Sequence, residues 1–235
     1  MKSLTQEALG AEWEQLPVAL QAHYRFGTTT DTGQMDIEYP QFMQPLLTVL
    51  HLCGALVNRP GQQVSTVVEK SLVGKRQHWR RTLTYSDGRV IYFDSFWISA
   101  GHGQVIEFVN PVLGLQMAPY VSGSRLHYRG VRFIVKLGRL LLPIPEWMVL
   151  GHTTIIEEAI DENHFFMDFR LTHPLVGQLF RYCGTFEAAS SPSRPATPAP
   201  PSPVAAARGA GFGSGGTRWL RWPRSGGCGS SRAGG

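Results

Sequence analysis

Apolar and polar residues alternate with a period of two along most of the chain between residues 64 and 186. In 79–85, Trp79, Arg81, Leu83 and Tyr85 share one face and Arg80, Thr82 and Thr84 the other. In 164–172, Phe165, Met167, Phe169 and Leu171 alternate with His164, Phe166, Asp168 and Arg170. Successive side chains on a strand point to opposite faces, so this alternation predicts strands buried on one side. The same rhythm runs through 64–73, 90–98, 105–109, 112–121, 125–128, 131–137, 153–160 and 178–186. Turn residues such as Ser86-Asp87-Gly88, Gly123 and Asp161-Glu162-Asn163 punctuate it. About ten short strands without intervening helical periodicity predict an α+β protein that is mostly antiparallel β. The expected form is a curved or barrel-like meander with N-terminal helices covering one face.

Residues 1–57 read as mostly helical. Ser3 or Thr5 can cap the first helix, Pro17 opens a second through 20–24, and Pro45 sits in the first turn of a third over 46–57. An extended piece at 33–39 interrupts them. Segment 90–98 is apolar on both faces, and the N-terminal helices are its natural cover. Pro143 and Pro145 exclude a regular central strand or helix over 140–150, which is expected to be a loop with a helical turn near 146–149. Such a sheet can enclose a cavity, although the dense packing of protein interiors favours a filled core.

Composition changes the picture after Glu187. The formal charge is +5, yet the last 48 residues hold six Arg and no Lys, Asp or Glu, so residues 1–187 carry 16 basic and 17 acidic side chains. The basic character belongs to the tail and gives no ground for a specific nucleic-acid partner. Pro and Gly supply 17 of those 48 residues, which predicts either a disordered tail or an out-of-frame or mis-called terminus. Residues 1–187 are expected to form a single domain. The three cysteines, Cys53, Cys183 and Cys228, lack metal-ligand spacing and predict a reduced, cytoplasmic protein. Glu7, Glu12 and Glu14 interrupt any signal-peptide core, and the longest apolar run is too short to predict a transmembrane segment.

Motifs for dinucleotide, phosphate, metalloprotease, serine-hydrolase and calcium chemistry are missing, so no cofactor is expected. The eight histidines are scattered, and no metal site is expected. The candidate chemistry lies in charges within apolar strands. Arg81 shares a face with Trp79 and Leu83, Glu107 with Val105 and Val109, and Asp94 with Tyr92 and Phe96. A buried charge needs a partner. These charges are structural pairs or edge positions facing water, or else polar anchors for a ligand in an apolar pocket. Ser95, Tyr128, His173 and Tyr182 can add hydrogen bonds to such an anchor. Glu157 and Glu158 fall on opposite faces of one strand and form no cooperating pair.

The segments LPVALQAHY, GQMDIEYP, HWRRTLTY followed by FDSFW, VIEF, LPIPEWMV and FMDFRLTHPLVGQLFRYCGTF resemble the bacterial domain of unknown function 4166 family (DUF4166) over about residues 4–186. The resemblance implies that Trp79, Arg81, Glu107, His173, Pro174, Gly177, Tyr182 and Gly184 match family motifs. It also implies an oxidoreductase as partner, because members occur alone or beside reductase-like or dehydrogenase-like domains. The tail after Glu187 departs from the family pattern.

Three functions follow as alternatives. The first is a non-catalytic binding module for an apolar small molecule or lipid-like ligand, with Trp79, Arg81, Ser95, Glu107, Tyr128, His173 and Tyr182 at the site. The second is a cavity-type enzyme in which Glu107 or His173 is the general base and Arg81 stabilises negative charge. The third is a filled-core interaction module that docks through an apolar patch at 140–150.

Overall fold

The computed structural model describes residues 1–188. Its strands are β1 (Thr29–Glu38), β2 (Gly61–Val73), β3 (Arg76–Thr84), β4 (Val90–Gly101), β5 (Gln104–Phe108), β6 (Leu113–Ser122), β7 (Arg125–Leu137), β8 (Leu140–Ile144), β9 (His152–Ala159), β10 (His164–His173) and β11 (Gly177–Glu187). Every neighbouring pair is antiparallel, and short turns join most of the consecutive pairs. The order β6-β5-β4-β3-β2-β1-β11-β10-β9-β7 closes on itself because β7 also pairs with β6. The result is a closed antiparallel barrel of ten strands, with β8 attached to β7 as an eleventh. Closure removes the exposed edges that an open sheet of this length would present.

Strand β7 makes this closure by being long. Its first residues, Arg125 to Arg129, pair with β9, and its last, Phe133 to Leu137, pair with β8. The two segments expected at 125–128 and 131–137 are therefore one strand. Gly130 marks the irregularity between them, where the β6 register shifts between Gln116 and Met117. The Gly123–Ser124 turn joins β6 to β7 with both residues at positive φ, 59° and 61°, the geometry that matches the twist of a tight hairpin.

Residues 140–150 also differ from expectation. Leu140–Ile144 is a strand, and Pro143 is tolerated because β8 pairs only with β7 and leaves its other edge free. A 3-10 turn over Glu146–Met148 follows as the prolines suggested. Gly151, at φ 81°, then passes so close to the β10–β11 hairpin that an added Cβ would collide with Thr172 O and the His173 backbone. Gly151→Ala is expected to cost about 1–3 kcal/mol by combining a left-handed backbone with that collision, read as a lower denaturation midpoint.

Short helices occupy the two ends of the barrel. Ser3 caps α1 (Leu4–Leu9) by accepting from the Gln6 N–H at 3.1 Å, and α2 (Val18–Tyr24) starts after Pro17. Leu9, Trp13, Leu16, Leu20 and Tyr24 from this region join the main core, so α1 and α2 fill the end where β1 begins. At the opposite end lies α3 (Gln44–Leu52), shorter than the helix expected over 46–57, with Leu47 fully buried. The outer face of β4 is not covered by the N-terminal helices as expected: Val90, Tyr92 and Asp94 are exposed, while Phe96 and Ile98 pack beside Ile106, Phe108 and Ile134 of neighbouring strands.

Candidate functional site

The inward face of each strand follows from its alternation. On β3, Gln77, Trp79, Arg81 and Leu83 point in; on β4, Ile91, Phe93, Ser95 and Trp97; on β5, Val105 and Glu107. The β3–β4 register sets Trp79 opposite Ser95, and the β4–β5 register sets Trp97 opposite Glu107. Arg81, Ser95 and Glu107 are thereby diagonal neighbours on three adjacent strands.

These three side chains form one connected group. Arg81 donates from Nη1 to Ser95 Oγ at 3.0 Å and from Nη2 to Glu107 Oε1 at 3.2 Å, while Ser95 donates to the same Glu107 oxygen at 2.6 Å. The Arg81 and Glu107 side chains are only 15% and 12% exposed, so water does not screen the pair as it would on the surface. The guanidinium also lies 5.1 Å from the Phe93 ring centre and 5.7 Å from that of Trp79.

The lumen on either side of this group is not filled. Toward α3 lies a cavity of about 130 Å³ walled by residues such as Leu115, Phe133, Val135, Phe169 and Leu171, in which Glu107 is the charged side chain. Toward α2 a chamber of about 40 Å³ is walled by His23, Trp79, Arg81, Trp97, Glu107 and Glu157, among others. A third space of about 30 Å³ adjoins Arg81, Leu83 and Phe93. Tyr182, stacked on Phe169 with ring centres 4.5 Å apart, borders all three. Its burial holds the phenol well above its ordinary range, so it is a neutral hydroxyl.

A second polar group lies at the α2 end; of its members only Tyr128 is a candidate from the sequence, while His23, Tyr24, Asp31 and Glu157 are not. His23 Nδ1 is 2.6 Å from Asp31 Oδ2, Tyr24 donates to Glu157 Oε1 at 2.9 Å, and Tyr128 shares a hydrogen bond with Thr5 at 3.1 Å. Burial raises Glu157 above the usual carboxylate range. Its other oxygen, Oε2, and the indole N–H groups of Trp79 and Trp97 are buried with no hydrogen-bond partner among the described residues. Glu158 faces outward and accepts from Arg125 at 2.9 Å, so the two glutamates lie on opposite faces and form no cooperating pair, as their spacing predicts.

Lys70, also inward and 1% exposed, donates from Nζ to the carbonyls of His23 and Arg25, each at 2.7 Å. Burial pulls it from 10.5 down to about 8, with Asp31 opposing the shift. The unfolded chain binds this proton more tightly than the fold does, so stability rises as pH climbs from about 8 toward about 10. Above that, Tyr24 and Tyr128, raised by burial, reverse the trend because they ionise first in the unfolded chain. A denaturation midpoint rising between about pH 8 and 9.5 is expected, and Lys70→Met is expected to flatten it.

Two expected anchors lie elsewhere. His173, at the outer end of β10, donates or accepts only locally: Nε2 is 3.1 Å from Trp147 O, and Nδ1 accepts from the Leu175 N–H at 3.2 Å. It ties the β10–β11 hairpin to the 3-10 turn and does not wall the lumen. Asp94 lies on the outer face of β4, exposed, 3.5 Å from Arg80. Trp79, Arg81, Ser95, Glu107 and Tyr182 do converge, and Tyr128 lies under α1, edge-on to Trp97.

The fold and the site together define a class: a closed antiparallel barrel, plugged by helices, with an ion pair inside its partly empty lumen. The chain belongs to the family of the domain of unknown function (DUF4166), whose model matches residues 16–186. No curated protein and no solved structure gives a match to the chain. No helix among the described residues is long and apolar enough to cross a membrane. The sequence expectations for residues after 188, including the disordered or out-of-frame tail, lie outside the described residues.

Proposed function

We propose that residues 1–187 form a binding module for an apolar small molecule held inside the barrel. The observation that carries this reading is the 130 Å³ cavity, apolar over nearly all its wall and bounded at one point by Glu107, whose carboxylate is held by Arg81. Small-molecule sites combine an apolar enclosure with a few fixed polar groups, and this lumen has both. An engineered cavity of about 150 Å³ accepts benzene, so the space suits a ligand body of about that size. Native mass spectrometry of the full-length chain, followed by denaturing extraction, tests it. A stoichiometric small passenger supports the module. A clean protein mass together with no uptake of hydrophobic probes sinks it. The family resemblance supports an oxidoreductase as the partner that supplies or receives the ligand.

A catalytic role finds less support. His173 is outside the lumen, and the Glu107 oxygen nearest Arg81 already accepts two hydrogen bonds.

The exposed edge of β8 favours a second reading, an interface with another copy of this chain. Leu140, Leu141, Leu142, Trp147 and Met148 are all exposed on that edge strand and the turn after it. A free edge with apolar side chains pairs readily with its own symmetry mate. Sedimentation velocity at rising concentration is expected to show a dimer that Leu141→Arg disperses. A monomer at every concentration ends this reading.

A further inference from the structure

The two larger spaces in the barrel differ in chemistry and meet at the same residues. Glu107 and Tyr182 wall both the 130 Å³ apolar cavity and the 40 Å³ chamber beside Glu157. A volume near 40 Å³ accommodates one or two groups the size of water, since about 10–15 Å³ suffices for each on the same measure. Three polar atoms on side chains that wall this chamber lack partners among the described residues: Trp79 Nε1, Trp97 Nε1 and Glu157 Oε2. All three residues are at most 3% exposed. Two are donors only, and the third belongs to a carboxyl group. A buried polar atom without a partner is costly, and such atoms cluster where a ligand or an ordered water completes the set.

Charge narrows the ligand further. Arg81 is already neutralised by Glu107 at 3.2 Å, and Glu157 adds a second carboxyl group to the same wall. A carboxylate headgroup would be buried beside two carboxyl groups, with Arg81 already in use by Glu107 and His23, on the same wall, in use by Asp31 at 2.6 Å, an unfavourable arrangement. An ammonium headgroup offers donors only and leaves both indole N–H groups unpaired. A hydroxyl or carbonyl oxygen accepts from an indole N–H, and a hydroxyl also donates to a carboxylate oxygen.

Building on the binding-module reading, we propose that the ligand is uncharged: a ring-sized apolar body in the larger cavity bearing one hydroxyl or carbonyl oxygen in the chamber lined by Trp79, Trp97 and Glu157. The lumen is thus selective against fatty acids and other anions.

Four probes with one ring and different headgroups test this on the full-length chain by NMR chemical-shift titration at pH 7: benzene, phenol, benzoate and benzylammonium. Phenol is expected to bind several-fold to about 10-fold more tightly than benzene, the increment of one neutral hydrogen bond. Benzoate and benzylammonium are each expected to bind at least about 100-fold more weakly than phenol. Trp97→Phe, which removes the N–H but keeps an aromatic ring, smaller than the indole, is expected to bring phenol down toward benzene while leaving benzene unchanged, because Trp97 does not wall the larger cavity. Benzoate binding as tightly as phenol, or phenol no better than benzene, overturns the neutral-headgroup assignment and leaves the binding module standing. Failure of all four probes, alongside a clean native mass, removes both.

Discussion

Arg81→Met is expected to lower the unfolding free energy by about 3–5 kcal/mol. The substitution keeps much of the side-chain volume but leaves Glu107 inside the barrel with Ser95 as its one remaining side-chain donor among the described residues. Both members of the pair are about seven-eighths removed from solvent, so the abandoned carboxylate has little water to turn to. Glu107→Gln alone is expected to be harmful for the mirror reason, a guanidinium without its counter-charge. The double variant Arg81→Met/Glu107→Gln is expected to recover most of the loss, because well-packed neutral groups in place of a buried pair are commonly neutral or stabilising. Urea denaturation read by tryptophan fluorescence measures all three. Domains have about 5–15 kcal/mol of stability in total, so the double variant also guards against a single variant that does not fold. A single-variant loss below about 1 kcal/mol would mean that water reaches the pair and that the lumen is open.

How much of this was legible in the sequence depended on the range of the interaction. Strand faces were legible because a period of two is local, and it placed Arg81 with Trp79 and Leu83, and Glu107 with Val105, on what proved to be inward faces. The same rule put Asp94 on a face with Tyr92 and Phe96, but nothing local says which face is inside; the sheet closes with Ser95 inward and Asp94 in water. His173 was a hydrogen-bonding candidate and a family-motif match, yet its partners, Trp147 O and the Leu175 N–H, are backbone groups that no residue pattern announces. Lys70 and Asp31 were readable in principle. Each interrupts a row of inward apolar residues, Lys70 after Val64, Thr66 and Val68, and Asp31 before Met35 and Ile37. Barrel closure was beyond local reading. It rests on β1 pairing with β11, contacts between distant parts of the chain, and on β7 reaching past β8 to pair with β9 while it also pairs with β6 and β8.

Phe169→Ala and Leu83→Ala are expected to cost about 3–5 and 2–5 kcal/mol respectively, and the way each loss responds to ligand separates packing from function. Phe169 is 7% exposed and lies flat against Tyr182; Leu83 is 1% exposed. Losses below about 0.5 kcal/mol at both sites would place these side chains on the solvent face and invert the register of β3 and β10. The two positions differ in what they border. Phe169 walls the 130 Å³ cavity, so its truncation enlarges a space that already suits a ring, whereas Leu83 borders only the 30 Å³ space near Arg81. A ligand that binds the folded chain alone stabilises it by mass action, about 2.7 kcal/mol at a hundred times its Kd. Benzene, or a larger ring such as naphthalene, is therefore expected to restore much of the stability of Phe169→Ala and little of that of Leu83→Ala. Equal rescue of both variants would point to non-specific binding, and rescue of neither would mean that the enlarged cavity collapses on truncation, leaving no preformed room for a ligand.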